Sequence, residues 1–196
     1  MKTIKLLIIF LASISINAQG TTNNELPYYK IPEYPKTYTA GSVAARMVDG
    51  LGFRYFWATE GLRAEDLAYA PSKNGRKCEQ TIDHIFNLST VIVNAATGAI
   101  NDSAVKQPEM TYAEKRKKTL ENLKKASDIL RVSEDVAKFK VIFKSRNGNT
   151  EYPFWNAING PIADALWHTG QIVLMRRASG NPFNSKVNVL TGKLRE

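Results

Sequence analysis

Cysteine and histidine are the scarce residues of this 196-residue chain: one cysteine, Cys78, and two histidines, His84 and His168. A single cysteine excludes an internal disulfide, so stability has to come from packing and from any bound ion. Cys78 itself is expected to pack, because a lone thiol is usually buried and inert. No Gly-rich phosphate loop, no pair of catalytic carboxylates and no separate activated nucleophile is evident, and there is no internal repeat or low-complexity tract. The longest apolar run, Leu6 to Ile16, is about 11 residues, short of the roughly 20 that cross a bilayer.

That run follows Lys2 and Lys5 and ends near the small residue Ala18, before the polar stretch Gln19 to Asn24. The order is that of a cleaved secretory signal over residues 1–18, with a periplasmic or secreted destination. No cysteine follows the run, so no lipid anchor is expected. Residues 19–39, rich in Pro, Tyr and Asn, read as an extended lead-in. Residues 40–182 have the length of one domain with a full core, and 183–196 read as a surface tail.

The formal charge is +9, of which Lys2 and Lys5 belong to the signal. Much of the remainder lies between Glu114 and Lys125, where Tyr112, Leu120, Leu123, Ala126 and Leu130 keep an apolar stripe at helical spacing. The cations then fall on the outer face of an amphipathic helix, without the interleaved aromatics that stack on bases. Nucleic acid is therefore not an expected partner.

Hydrophobic spacing predicts four long helices. The first runs from about Ala40 to Leu62, where Gly50 and Gly52 each cost about 1 kcal/mol relative to Ala and mark a close packing contact or a kink. A loop over Arg63 to Asn74 follows. The second helix, about Lys77 to Ala99, is apolar nearly all round from Ile85 and is expected to be the most buried. The third, about Thr111 to Val132, opens with Thr111 and Glu114 at capping-box spacing. Between Lys138 and Trp155 the pattern alternates around Asn147-Gly148, which predicts a hairpin with a type I′ turn. The fourth helix runs from about Trp155 to Ala178, with Arg176 and Arg177 suited to the dipole of its last turn.

On that fourth helix Asp164 and His168 are four residues apart, so both leave the same face. Gln171 and Met175 continue that face beside Ala165 and Ile172, which makes it an inward one. A carboxylate buried there alone is costly, and pairing with a cation removes the cost. His84, on the facing second helix, completes a site of two imidazoles and one carboxylate with positions open for water or substrate. The competing reading is a hydrogen-bonded core histidine and a buried ion pair. Gln171, one turn after His168, is placed to orient it or a bound water, the other reading being a polar residue of the bundle seam. Trp57, Glu60, Trp155 and Trp167 are candidates for a pocket mouth.

The stretches TEGLRAEDLAYAPSKNGRKCEQTIDHIFNLS and WNAINGPIADALWHTGQIVLMRRASGNP resemble two regions of the DinB/YfiT-like superfamily. The first resembles the end of helix one, the connecting loop and the histidine-bearing helix two. The second resembles the last helix, with its His-Thr-Gly-Gln-Ile core and the following Gly-Asn-Pro. The likeness extends over about Ala40 to Pro182 and is loose in the third helix. It implies an all-α, up-down-down-up four-helix bundle, here with a short hairpin-like segment before the last helix. It also implies one divalent metal held commonly by three histidines, one on helix two and two at i, i+4 on helix four. His84 matches the first ligand and His168 the last, while Asp164 stands where histidine is usual. A mixed nitrogen and oxygen set does not distinguish Zn, Ni, Fe or Mn.

Relatives of this kind include metal-dependent transferases and isomerases that use low-molecular-weight thiols, so the resemblance implies a metal-dependent thiol transferase or a hydrolase. The alternative is a non-catalytic, metal-stabilised module that binds a ligand or partner. A small-molecule ligand and a second copy of the chain remain open as partners, and no membrane anchor is expected after cleavage.

Overall fold

Thr39 opens the first helix, α1 (Ala40–Thr59), through a reciprocal capping box. Its hydroxyl accepts from the Ser42 amide at 3.0 Å, and the Ser42 hydroxyl oxygen accepts from the Thr39 amide at 2.9 Å. The computed structural model describes residues 26–196, so the signal read at 1–18 and the start of the lead-in lie outside the described residues. What it describes is mainly helical, with small sheets. No helix among the described residues is long and apolar enough to cross a membrane.

Helix α1 ends at Thr59, ahead of the expected Leu62, because Glu60 turns extended and Gly61 takes φ +66°. The loop that follows contains a short helix, α2 (Ala64–Ala68). Its Asp66 is fully buried and accepts from the Arg63 amide at 2.7 Å and from the Arg63 guanidinium at 2.9 and 3.0 Å. That guanidinium holds the Asp66 carboxyl well below the usual carboxylate range. The second long helix is α3 (Cys78–Thr97), stopped by Gly98 at φ +74°. The third is α4 (Tyr112–Arg131), with the expected reciprocal bonds between Thr111 and Glu114.

The alternating segment forms β2 (Lys140–Ser145) and β3 (Gly148–Pro153), paired antiparallel from Lys140↔Pro153 to Ser145↔Gly148. The turn is therefore Arg146-Asn147, one residue earlier than expected. It is not type I′, since neither residue has positive φ; Gly148 takes φ +112° instead. A two-residue strand, β1 (Ile100–Asn101), adds to β2 in parallel. The tail contributes β4 (Val187–Asn188) and β5 (Lys193–Leu194) and is tied to the lead-in where the Ile31 amide donates to the Gly192 carbonyl at 2.8 Å.

The expected fourth helix is interrupted. A short α5 (Phe154–Ala157) passes into a π-helical turn at 158–162 and then α6 (Ala163–Ala178). Pro161 cannot donate to the helical ladder and disfavours helical geometry at the residue before it, and Gly160 leaves helical values at φ −89°, ψ −105°. The break comes just ahead of Asp164.

Helix α1 packs on α4 and α6, and α3 packs on the same two. The Tyr112 hydroxyl at the start of α4 donates to the Thr59 carbonyl at the end of α1, and Thr39 at the other end of α1 donates to the Ser133 carbonyl. Lys115 pairs with Asp83 at 2.6 Å, and Asn122 donates to the Ser89 hydroxyl at 3.2 Å, so α3 and α4 run side by side in one direction. Arg176 at the end of α6 reaches the end of α1.

The most buried helix is α1, not α3 as its composition suggested. Small residues let neighbours close on α1: a Cβ at Gly41 would lie 2.0 Å from the Ser133 carbonyl oxygen, and one at Gly52 would lie 2.5 Å from the Tyr28 ring. Tyr28, held at φ +76°, inserts from the lead-in and donates to Asp49, itself paired with Arg131 at 2.8 Å. Helix α3 leaves Leu88 and Val91 half-buried. Gly52→Ala is expected to destabilise the protein by about 1–3 kcal/mol in denaturant titration, because the ring it would displace is packed inside. An unchanged midpoint would show that Tyr28 moves aside freely.

Candidate metal centre

Asp164 lies in the first turn of α6 and His168 one turn later, so helical spacing alone brings their side chains together. The His168 Nε2 lies 3.2 Å from Asp164 Oδ1. His84, on the second turn of α3, brings its Nε2 to 3.1 Å from Asp164 Oδ2. One carboxylate thus faces both imidazoles, an oxygen to each, and the two rings meet edge to face with centroids 4.7 Å apart. One donor atom from each of the three residues lies within 4.8 Å of the others, so the group could hold a metal ion.

The chemistry of the donors fits a cation. His168 Nδ1 lies 2.9 Å from Gln171 Oε1, which as an acceptor fixes the ring proton on Nδ1. In the neutral ring Nε2 is then a lone pair facing an oxygen lone pair of Asp164, a repulsive contact unless a proton or a metal ion lies between them. The two nitrogen–oxygen separations, 3.2 and 3.1 Å, run to different oxygens of the carboxylate and are of the order of the roughly 3.3 Å between donors of a tetrahedral ion with bonds of about 2.0–2.1 Å. Gln171 thus contacts the ring nitrogen that faces away from Asp164.

The triad is partly buried. His168 is 15% exposed, but His84 and Asp164 keep 33% and 35% of their side-chain surface. The face is inward on its Ala165 and Ile172 side and open on the other, which leaves an approach for solvent or a ligand. Trp167 stacks on the His168 ring at 6.2 Å between centroids and 15° between planes, and it stands largely exposed beside the site.

The remaining candidates separate. Trp155 is also exposed, whereas Trp57 is buried with its Nε1 donating to the Tyr29 carbonyl, so it is core and no pocket mouth. Glu60 pairs with Arg116 at 2.5 Å. Cys78 is fully buried, and burial pushes its thiol up to about 11, consistent with packing. On α4 the stripe of Leu120, Leu123, Ala126 and Leu130 is buried and most lysines lie outside; Arg116 turns inward to the Phe56 carbonyl and the Thr59 hydroxyl, which a solvated-face reading misses.

Compared with protein-family models, curated proteins and solved structures, the chain matches none. The assignment of the centre therefore stands on its geometry.

Proposed function

We propose that this chain is an exported member of the DinB/YfiT-like superfamily that binds one divalent metal ion, as Zn, Ni, Fe or Mn, through His84, Asp164 and His168. The observation that carries the reading is the convergence of the only two histidines on the two oxygens of a single carboxylate. The pairwise directions of α1, α3, α4 and α6 favour an up-down-down-up four-helix bundle, with the β2–β3 hairpin inserted before the last helix. Three protein donors and a half-open face leave coordination positions for a ligand, the arrangement of a reactive site rather than a closed structural one.

A divalent ion held there supplies Lewis acidity, which makes a bound water or thiol more acidic. The chain's own residues do the rest. Gln171 fixes the tautomer and direction of the His168 ring, Asp164 supplies the negative charge that offsets the ion, and Trp167 walls one side of the approach. Transfer of a small thiol to an electrophile, or hydrolysis, is the chemistry this arrangement suits. A non-catalytic ligand-binding module would use the same three residues.

Elemental analysis of the natively exported protein tests the reading. About one equivalent of a transition metal per chain is expected, falling to background in His168→Ala. A wild-type protein as metal-free as the variant would leave only a hydrogen-bonded triad.

A further inference from the structure

A concentration of exposed apolar side chains lies on α1 and the segments beside it, among residues other than those of the His84 centre. Tyr38 is 95% exposed, Leu190 89% and Tyr34 77%, with Val43, Met47 and Val189 also exposed. All six, with Ile31, wall one recess of about 460 Å³ between the lead-in, the outer face of α1 and the β4–β5 tail. A volume of that size suits a small molecule. Isolated exposed apolar residues are ordinary, but a cluster enclosing a cavity is not.

Two arginines of α1, Arg46 and Arg54, stand in the same wall, and no acidic residue lines it. Arg46 is held by the Tyr34 ring, 4.7 Å from its guanidinium carbon, and by the Pro32 carbonyl, to which Nη1 donates at 3.1 Å. Its Nη2 is closed off from solvent and has no hydrogen-bond partner among the described residues. Among the described residues Arg54 donates to the Gly50 carbonyl of its own helix. Two cations beside apolar walls favour an anionic ligand there, with Glu33 bordering only the neighbouring recess that Arg46 shares.

We infer that this recess is a second binding site, for a free amphipathic carboxylate of the fatty-acid type, its head at the wall that carries Arg46 and Arg54 and its apolar body between Tyr34, Tyr38, Met47 and Leu190. Arg46 Nη2 is closed off from solvent, so the head is drawn by the charge of Arg46 in the recess wall together with the guanidinium of Arg54 rather than held on that nitrogen, and two cations suit a two-oxygen head. Arg54 and Val189 also border an adjoining recess of about 300 Å³, lined further by Leu166, Val173 and Phe183, so there is room for a chain to continue. The surface is concave, which fits the body of a ligand rather than the plane of a bilayer. Leu166, Gly170 and Val173 lie on the side of α6 opposite Asp164, His168 and Gln171, at 100° per residue, so this site does not depend on the metal reading.

Calorimetric titration of the full chain with decanoate, kept below its micellar range, tests the inference. One saturable site is expected, with affinity lowered at least about tenfold in Arg46→Gln, the loss of one of the two cations. His168→Ala should bind decanoate unchanged. Leu190→Ser, at a position exposed enough to leave folding intact, should also bind more weakly, and 1-decanol should not compete. The inference is overturned by absence of binding, by equal binding of 1-decanol, or by equal affinity in Arg46→Gln. Loss of binding in His168→Ala would assign the carboxylate to the metal centre instead, and binding only to phosphatidylcholine vesicles would make the patch a membrane contact.

Discussion

Arg176→Met is expected to lower the unfolding free energy by about 3–5 kcal/mol, the range for removing one partner of a buried charged network. For a domain of this size that is a fall in melting temperature of roughly 10 °C. The side chain is 4% exposed, and its Nη1 donates to the carbonyls of Trp57, Ala58 and Glu60 at 3.0–3.1 Å. Those carbonyls belong to the end of α1, where the helix supplies no partners of its own. Nε and Nη2 hold the backbone and side-chain oxygens of Asn181 at 2.8 and 3.1 Å. The Asn181 amide in turn donates to Asp66 at 2.6 Å, which links α2 to the same knot. Methionine keeps most of the apolar stem, so the loss is that of the polar contacts, and lysine cannot span both sets with one ammonium. Arg177→Met, at the exposed neighbour, is the control and should stay within about 0.5 kcal/mol. Urea titration followed by circular dichroism decides, and similar midpoints for the two variants would show that the ends of α1 and α6 are not tied through Arg176.

Arg176 also shows where sequence reasoning stops. A basic residue in the last turn of a helix reads as a partner for that helix's own dipole, but this one caps a different helix, and the difference is a fact of packing. What local rules govern was legible: the Thr111–Glu114 box, the apolar stripe of α4, and the side-by-side placement of Asp164 and His168. The meeting of His84 with that pair was legible only as an expectation about facing helices. Burial rank was misjudged because composition favours α3, whereas close approach is set by small residues such as Gly41 and Gly52, whose effect depends on what lands on them. The break at Gly160-Pro161 carries a clear local signal, which the expectation of one continuous helix from about Trp155 to Ala178 passed over. Tyr28 had no such signal, since a tyrosine among prolines gives no sign that it fills the space above Gly52.

Asp164→Ala is expected to abolish metal binding and, with it, any response of the melting temperature to a chelator. An ion present at about a hundred times its dissociation constant stabilises the folded state by about 2.7 kcal/mol, provided the unfolded chain does not bind it. In a domain of this length that corresponds to a shift of roughly 5–10 °C, which chelation should remove from the wild type and cannot remove from the variant. Asp164→His restores three imidazoles and should keep both metal and shift, because a nitrogen donor at the same place still closes the set. Asp164→Asn separates the two explanations of the triad. It preserves the shape of the side chain and a hydrogen bond to one histidine but removes the charge, so a purely hydrogen-bonded cluster should tolerate it and a metal site should not. Equal melting temperatures for wild type and Asp164→Ala, with and without chelator, would leave the contacts of 3.1 and 3.2 Å as an ion pair bridged by protons. A chelator-sensitive wild type beside an insensitive alanine variant would require that a cation joins α3 to α6, since only such a cation is held by His84, Asp164 and His168 together.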